Sequence, residues 1–268
     1  MKHLLFLLAL LCLTACETVI DVELDETEPR EVIEATLNGE TGVLSVRITT
    51  TGPYFEAGSV LPVGDATVEL RNDQTAEVLQ IAENSTGTFV ATLNATPGTE
   101  YTLRVQTPEN EYIARSRLPA PVDIAEISSE FQEARGPQEE GYRLEFRFQD
   151  PPGEQNFYRL VHSVNGIPQR EGDDLLVTED ILFDGGFARV QLFQQTFELA
   201  DTVRLELWHI DAAGYEYYNS LADILVTDGN RPNSGSAAPG NPTSNWSNDA
   251  LGYFSAYYPT QREIVVEE

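Results

Sequence analysis

Residues 64–72 read GDATVELRN, residues 87–93 read GTFVATL, and residues 97–107 read PGTEYTLRVQT. In all three, apolar side chains come at every second position: Ala66, Val68 and Leu70, then Phe89, Ala91 and Leu93, then Tyr101, Leu103 and Val105. A strand turns successive side chains to opposite faces, so a period of two marks half-buried strands and excludes an amphipathic helix. The breaks fall at Gly64-Asp65, Gly87 and Pro97-Gly98, residue types that suit tight turns.

The same alternation extends in both directions. Upstream, Leu44, Val46 and Ile48 interleave with Ser45, Arg47 and Thr49; downstream, 108–110 turns the chain into a further run at 111–117. Short strands at this spacing predict a β-sandwich over residues 31–118. Leu118-Pro119-Ala120-Pro121 interrupts the pattern and reads as an interdomain joint. A second, β-rich domain is expected over 119–268, with runs at 122–131, 142–149, 156–164, 189–192 and 203–210. Within it Tyr218, Leu221, Ala222 and Leu225 lie at helical spacing, Asp211 is placed to cap the start and Gly229 follows the end. One helix is therefore expected over about 214–227, then a long loop over 228–249, then LGYFSAYYPTQREIVV returning to a sheet. The fold class is mostly β: two β-sandwich-like domains in tandem, one short helix in the second, behind an N-terminal tether.

An export signal precedes that tether. Lys2 and His3 are followed by an apolar run over 4–13, too short to cross a bilayer core of roughly 30 Å as a helix. Residues 1–15 are read as a signal peptide. Leu13-Thr14-Ala15-Cys16 matches the lipobox of bacterial lipoproteins, which makes Cys16 the acylated first residue and outer-membrane lipid its partner. The other reading, ordinary cleavage after Ala15, leaves Cys16 free or in a disulfide. Cys12 departs with the signal, however, and the chain then holds no second cysteine to pair with it. Residues 16–30 carry Glu17, Asp21, Glu23, Asp25, Glu26 and Glu28 ahead of Pro29, a density of like charge that makes a solvated tether.

Beyond Lys2 every basic side chain is an arginine, and 15 of them face 44 acids. A surface with that excess of negative charge repels nucleic acid, which is excluded as a partner. Two origins of the acidity stay open: adaptation to high salt, where screening relieves self-repulsion, or a codon bias that favours arginine.

After the signal the chain has two histidines, one cysteine and no lysine. A thiolate nucleophile, a Schiff base and a zinc site of His/Cys type are thereby excluded. His162 is in phase with Tyr158, Leu160 and Val164, and His209 with Val203, Leu205 and Leu207, so both read as core histidines. Neither a G-x-S-x-G elbow nor a glycine-rich phosphate cradle occurs. The pair Asp173-Asp174 is what chance produces among 44 acids. No catalytic residue, enzymatic activity or cofactor is expected. For calcium, Asp173-Asp174 and DILFDGG at 180–186 offer hard oxygen ligands, but their order departs from the calcium-loop pattern and a solvated loop is the reading adopted.

Two loops remain: TTGPYFEAGSVLPVG at 50–64, carrying Tyr54 and Phe55, and the 228–249 loop, carrying Asn245 and Trp246. Loops of such length inside a compact domain are functional or disordered, and aromatic rings on them stack on sugars or fill a partner's pocket. Tyr54, Phe55, Asn245 and Trp246 are accordingly the candidate contacts for a small-molecule, glycan or peptide ligand or a protein partner. The competing reading has Tyr54 and Phe55 plugging the end of the sandwich and Trp246 anchoring its loop on the second domain.

CETVIDVELDETEPREVIEA at 16–35, GPYF at 52–55, NFYRL at 156–160, YEYYNSL at 215–221 and SNWSNDALGYFSAYY at 244–258 together resemble the Bacteroidetes lipoproteins grouped as domain of unknown function 4249. The resemblance spans nearly all of the chain after the signal, and its motifs are aromatic and structural. It implies an outer-membrane lipoprotein that accompanies a TonB-dependent transporter as a non-catalytic binding accessory in nutrient uptake. The acids after Cys16 resemble the signal that places such lipoproteins on the cell surface. The alternative is a structural or adhesive surface module with no uptake role. Two features depart from the family pattern: the missing surface lysines, and Trp246 where relatives carry an aliphatic residue.

Overall fold

The computed structural model describes residues 28–52, 60–136, 139–169, 175–192, 195–228 and 240–268. Cys16, most of the tether, Tyr54, Phe55 and the Asp173-Asp174 pair lie outside them.

The first half consists of β1 (Glu31–Asn38), β2 (Val43–Thr50), β3 (Leu61–Pro62), β4 (Thr67–Asn72), β5 (Val78–Ile81), β6 (Glu83–Ser85), β7 (Thr88–Thr92), β8 (Glu100–Gln106) and β9 (Glu111–Arg117). The second contains β10 (Ile124–Gln132), β11 (Gly141–Gln149), β12 (Phe157–Val164), β13 (Ile167–Pro168), β14 (Leu176–Glu179), β15 (Phe187–Gln191), β16 (Thr202–Ile210), the helix α1 (Ala212–Asp228) and β17 (Leu251–Val265). The protein is mostly β, in tandem sandwich units, as the alternation predicts.

Each unit has its own core. In the first, the sheet β5-β4-β8-β9 faces β1, β2 and β7, and Val68, Leu70, Leu103 and Val105 meet Ile33, Leu37, Leu44, Val46, Ile48 and Phe89. In the second, β10-β11-β15 faces β12 and β16, bringing Leu144, Phe146 and Phe148 against Tyr158, Leu160, Leu205 and Leu207. Every one of these positions belongs to an alternating run. Burial of such side chains, at roughly 25 cal/mol per Å² of apolar surface, is what holds each sandwich closed.

β17 departs from the expected partition. Its first half pairs in parallel with β1, from Val32↔Leu251 to Asn38↔Tyr257, and its second half pairs antiparallel with β16, from His209↔Tyr258 to Thr202↔Val265. One continuous ladder thus runs from β12 through β16 and β17 into β1 and β2. Trp246, Ala250, Phe254 and Ala256 belong to the first core, whereas Ile264 and Val266 pack on the second. Assigning all of 119–268 to the second domain is corrected accordingly: the chain returns to the N-terminal sandwich before it ends. Parallel pairing of strands this far apart in sequence leaves no local signal.

Gly252 permits the return. It stands opposite Ile33 with φ at +87°, and a Cβ there would lie 2.3 Å from the Ile33 carbonyl oxygen. A residue with a side chain meets both a conformational and a steric obstacle. Gly252→Ala is expected to lower unfolding stability by about 1–3 kcal/mol, read by urea denaturation. An unchanged midpoint would mean that the β1–β17 seam relaxes freely.

Candidate functional site

Helix α1 lies across the outer face of the second unit's main sheet, and this arrangement follows from the two periods meeting there. On β12, Tyr158, Leu160 and His162 point into the core, so Phe157, Arg159 and Val161 point outward. On β16, Leu205 and Leu207 point inward, which turns Arg204, Glu206 and Trp208 outward. The helix covers part of this outer face with tyrosines. Tyr215 meets Phe157 at 5.0 Å between ring centroids, Tyr217 stacks on Tyr253 at 4.0 Å, and the Tyr218 and Tyr253 hydroxyls lie 2.7 Å apart. Burial pushes the Tyr217 hydroxyl up to about 12 and that of Tyr253 well above its ordinary value, so both remain neutral.

The sheet face and the helix border an open-mouthed cavity of about 750 Å³. Arg159 stands in its wall with its guanidinium carbon 4.8 Å from the Trp208 ring centroid and 4.0 Å from that of Tyr218. Trp208 is backed by Tyr257, stacked at 4.2 Å and 22°. Val161, Leu175, Leu221 and Leu225 supply apolar wall, and Arg204, Glu206 and Glu263 supply charge. The volume and mixed lining are those of a small-molecule site.

A second cavity, of about 680 Å³, lies between the two units and is lined by Arg117, Pro119, Asn156, His209 and Asp211 among others. His209 stacks on Tyr158 at 4.9 Å and its Nδ1 lies 2.7 Å from the Ala120 carbonyl oxygen. Burial lowers its pKa below the usual imidazole value, against the opposing pull of that carbonyl and of Asp150 and Asp180. His162 is also buried, 2.6 Å through Nε2 from the Gln195 side-chain oxygen. Both histidines are core residues, as their strand phase indicates.

Asp211 joins the units. Its Oδ2 accepts from the Ser116 hydroxyl at 2.6 Å and the Arg117 amide at 3.1 Å, and its Oδ1 accepts from the Gly214 amide at 2.9 Å, capping α1. The Ser116 oxygen in turn accepts from the Ala256 amide of β17 at 2.7 Å. One carboxylate thus ties β9, β17 and α1 together.

Asp150, Asp180 and Asp184 bring carboxylate oxygens within 4.8 Å of one another, a hard-oxygen set of the type that takes calcium. Asp180 and Asp184 come from the DILFDGG stretch; Asp150, from the preceding strand end, has no sequence signal linking it to them. Protein donors already serve them: the Tyr158 hydroxyl and Gly185 amide donate to Asp150, the Asn156 amide to Asp180, and the Gly153 amide to Asp184. Burial and the bond to Asp150 raise the Tyr158 pKa well above its ordinary value.

Asn245 and Trp246 are placed differently from the exposed loop contacts that the sequence suggests. Trp246 is 6 % exposed, packs in the first core and donates from Nε1 to the Ile33 carbonyl at 2.9 Å. The Asn245 side chain accepts from the Phe254 amide at 2.9 Å and donates to the Phe254 and Arg115 carbonyls at 2.8 and 3.1 Å. The reading of both as ligand contacts is corrected: the chain around 246 is pinned to the N-terminal sandwich by its one large ring and one amide. The competing reading placed the anchor on the second domain, and the structure puts it on the first.

Neither cavity was named from sequence. The signal for the first was present in NFYRL, where phase turns Arg159 outward beneath the segment expected to be helical.

A tandem β-sandwich protein with a lined cavity beside its single described helix is the class that this architecture defines. The chain belongs to the family described as domain of unknown function (DUF4249), whose model matches residues 17–263. No curated protein sequence matches it. Among solved structures, it is similar to a two-domain fibronectin type-III segment from chicken tenascin at 12 % identity, covering 89 % of this chain and 100 % of that one, with a TM-score of 0.25. The fibronectin domains FN1–FN3 of chicken CNTN1 match at 7 % identity over 67 % of this chain and 60 % of that one, with a TM-score of 0.28.

Proposed function

We propose that this protein is an outer-membrane lipoprotein, anchored through Cys16 and facing the cell exterior, that binds without catalysing. In this reading it serves a TonB-dependent transporter in nutrient uptake. The observation that carries the binding function is the cavity beside α1, where Arg159 packs on Trp208 and Tyr218 beside an apolar wall. A cavity of that size takes a small ligand, and a preformed wall loses little side-chain entropy on binding. The lipobox at residues 13–16 and the acidic tether behind it support the location. Among the described residues, no helix is long and apolar enough to cross a membrane.

The anchor is tested by Cys16→Ser. Serine lacks the sulfur that forms the thioether, so the variant is expected to take up no labelled palmitate and to leave the membrane fraction. Undiminished labelling would overturn the lipoprotein reading. The alternative function, a structural or adhesive surface module, predicts that deletion impairs attachment to surfaces while uptake stays normal; the proposed function predicts the reverse.

A further inference from the structure

The chemistry of the ligand follows from the state of Arg159. Its guanidinium carbon lies over two aromatic rings, Trp208 at 4.8 Å and Tyr218 at 4.0 Å, so its head is held in place in the wall of the cavity. The Nε is buried without a hydrogen-bond partner among the described residues, and no hydrogen bond within them engages the Nη nitrogens, which are therefore the donors that a ligand in the cavity can reach.

The nearby acids do not satisfy Arg159. Glu206, diagonal to Arg159 across the β12–β16 pairing, accepts from Trp208 Nε1 at 2.9 Å and forms an ion pair with Arg204 Nε at 3.6 Å. Glu263 stands opposite Arg204 in the β16–β17 register. The charges of Arg204 and Arg159 are therefore balanced, over the whole wall, by two glutamates of which neither pairs with Arg159 in the described residues. One fixed guanidinium edge remains, in a wall whose other anions repel a second negative charge.

We infer, building on the binding role assigned above, that the cavity takes an amphipathic monocarboxylate: one carboxylate on the N–H edge of Arg159, and an apolar body against Val161, Leu175, Leu221 and Leu225. A guanidinium packed against two rings loses little freedom on binding, and its Nη pair can give two parallel N–H···O bonds to a carboxylate. A phosphate dianion also pairs bidentately with arginine, but its second negative charge meets Glu206 and Glu263 here.

The probes are N-acetyl-leucyl-leucine, its neutral C-terminal amide, and 3-methylbutyl phosphate, titrated by calorimetry into the acylated full-length protein in lipid nanodiscs. The acid is expected to bind about tenfold or more tightly than the amide, since hydrogen bonds to a charged partner are at stake, and to bind more tightly than the phosphate. Arg159→Gln is expected to abolish that preference with the circular dichroism spectrum retained. Arg159→Lys, which keeps the charge and loses the planar fork, should keep only part of it. Equal affinity for acid and amide in the unaltered protein would overturn carboxylate recognition while leaving the cavity as a binding site, and needs no variant to fold. Tighter binding of the phosphate, retention of the preference in Arg159→Gln, or no binding of any probe would overturn it as well. A failed transporter association, by contrast, would strike the uptake role and leave this result standing.

Discussion

Trp246→Ala is expected to lower the unfolding free energy by about 3–5 kcal/mol, the range for removing a large aromatic side chain from a packed core. The ring is buried with Ile33, Phe254 and Ala256 in the first sandwich, and its Nε1 holds the Ile33 carbonyl. Truncation leaves a cavity and also an acceptor on β1 that has lost its donor. The seam between β1 and the first half of β17 is where the loss falls. Denaturant titration followed by circular dichroism measures it, and a change below about 1 kcal/mol would show that the ring is dispensable to the core. The outcome distinguishes sharply between the two roles a loop tryptophan can have, because a ring reserved for a ligand would leave stability nearly unchanged.

Asp211→Ala is the second large effect. The substitution removes an N-cap, worth about 0.5–2 kcal/mol, and strips the shared acceptor from Ser116 and Arg117, where unsatisfied donors cost about 1–3 kcal/mol. A total loss near 2–4 kcal/mol is expected. Since Ser116 also accepts from Ala256, the loss should reach the β9–β17 contact as well as the helix. Amide hydrogen exchange should show faster exchange at Gly214 and Ala256 together; protection retained at Ala256 would mean that the two ends are independent.

The same carboxylate carries a pH signature. Burial raises its pKa above the ordinary 3.8, opposed by the hydrogen bonds from Ser116, Gly214 and Arg117. The folded state therefore binds more protons than the unfolded state from pH 3.8 up to the raised value. Its contribution is greatest below pH 3.8 and declines as the pH rises through that window. In the difference between native protein and Asp211→Ala, stability should fall with rising pH there, and a difference that rises would contradict the raised pKa.

The strands were legible because each buries one face, and burial of one face writes a period of two into the sequence. The Asp211 cap and the helix were legible for the same kind of reason: both are set by residues within a few positions of each other. What escaped depends on contacts far apart in the chain. Nothing in LGYFSAYYPTQREIVV indicates that one strand will serve two sandwiches, because its alternation suits either neighbour equally. Trp246 follows a stretch rich in glycine, proline and serine and reads as exposed; only its meeting with Ile33, 213 positions away, makes it core. Asp150 meets Asp180 and Asp184 across a shorter stretch, but likewise with no local pattern to join them. Arg159 is the intermediate case, since strand phase gives its direction, but the rings that flank it come from β16 and α1.

The proposed role as a surface-anchored binding accessory of a transporter is tested by isolating the protein from native outer membrane. The protein should be solubilised in mild detergent after cross-linking and its associated proteins identified by mass spectrometry. A β-barrel TonB-dependent transporter is expected in near-stoichiometric amount, and is expected to be lost when Cys16→Ser releases the chain from the membrane. Recovery of the acylated protein alone, with no barrel beside it, would contradict the transporter role.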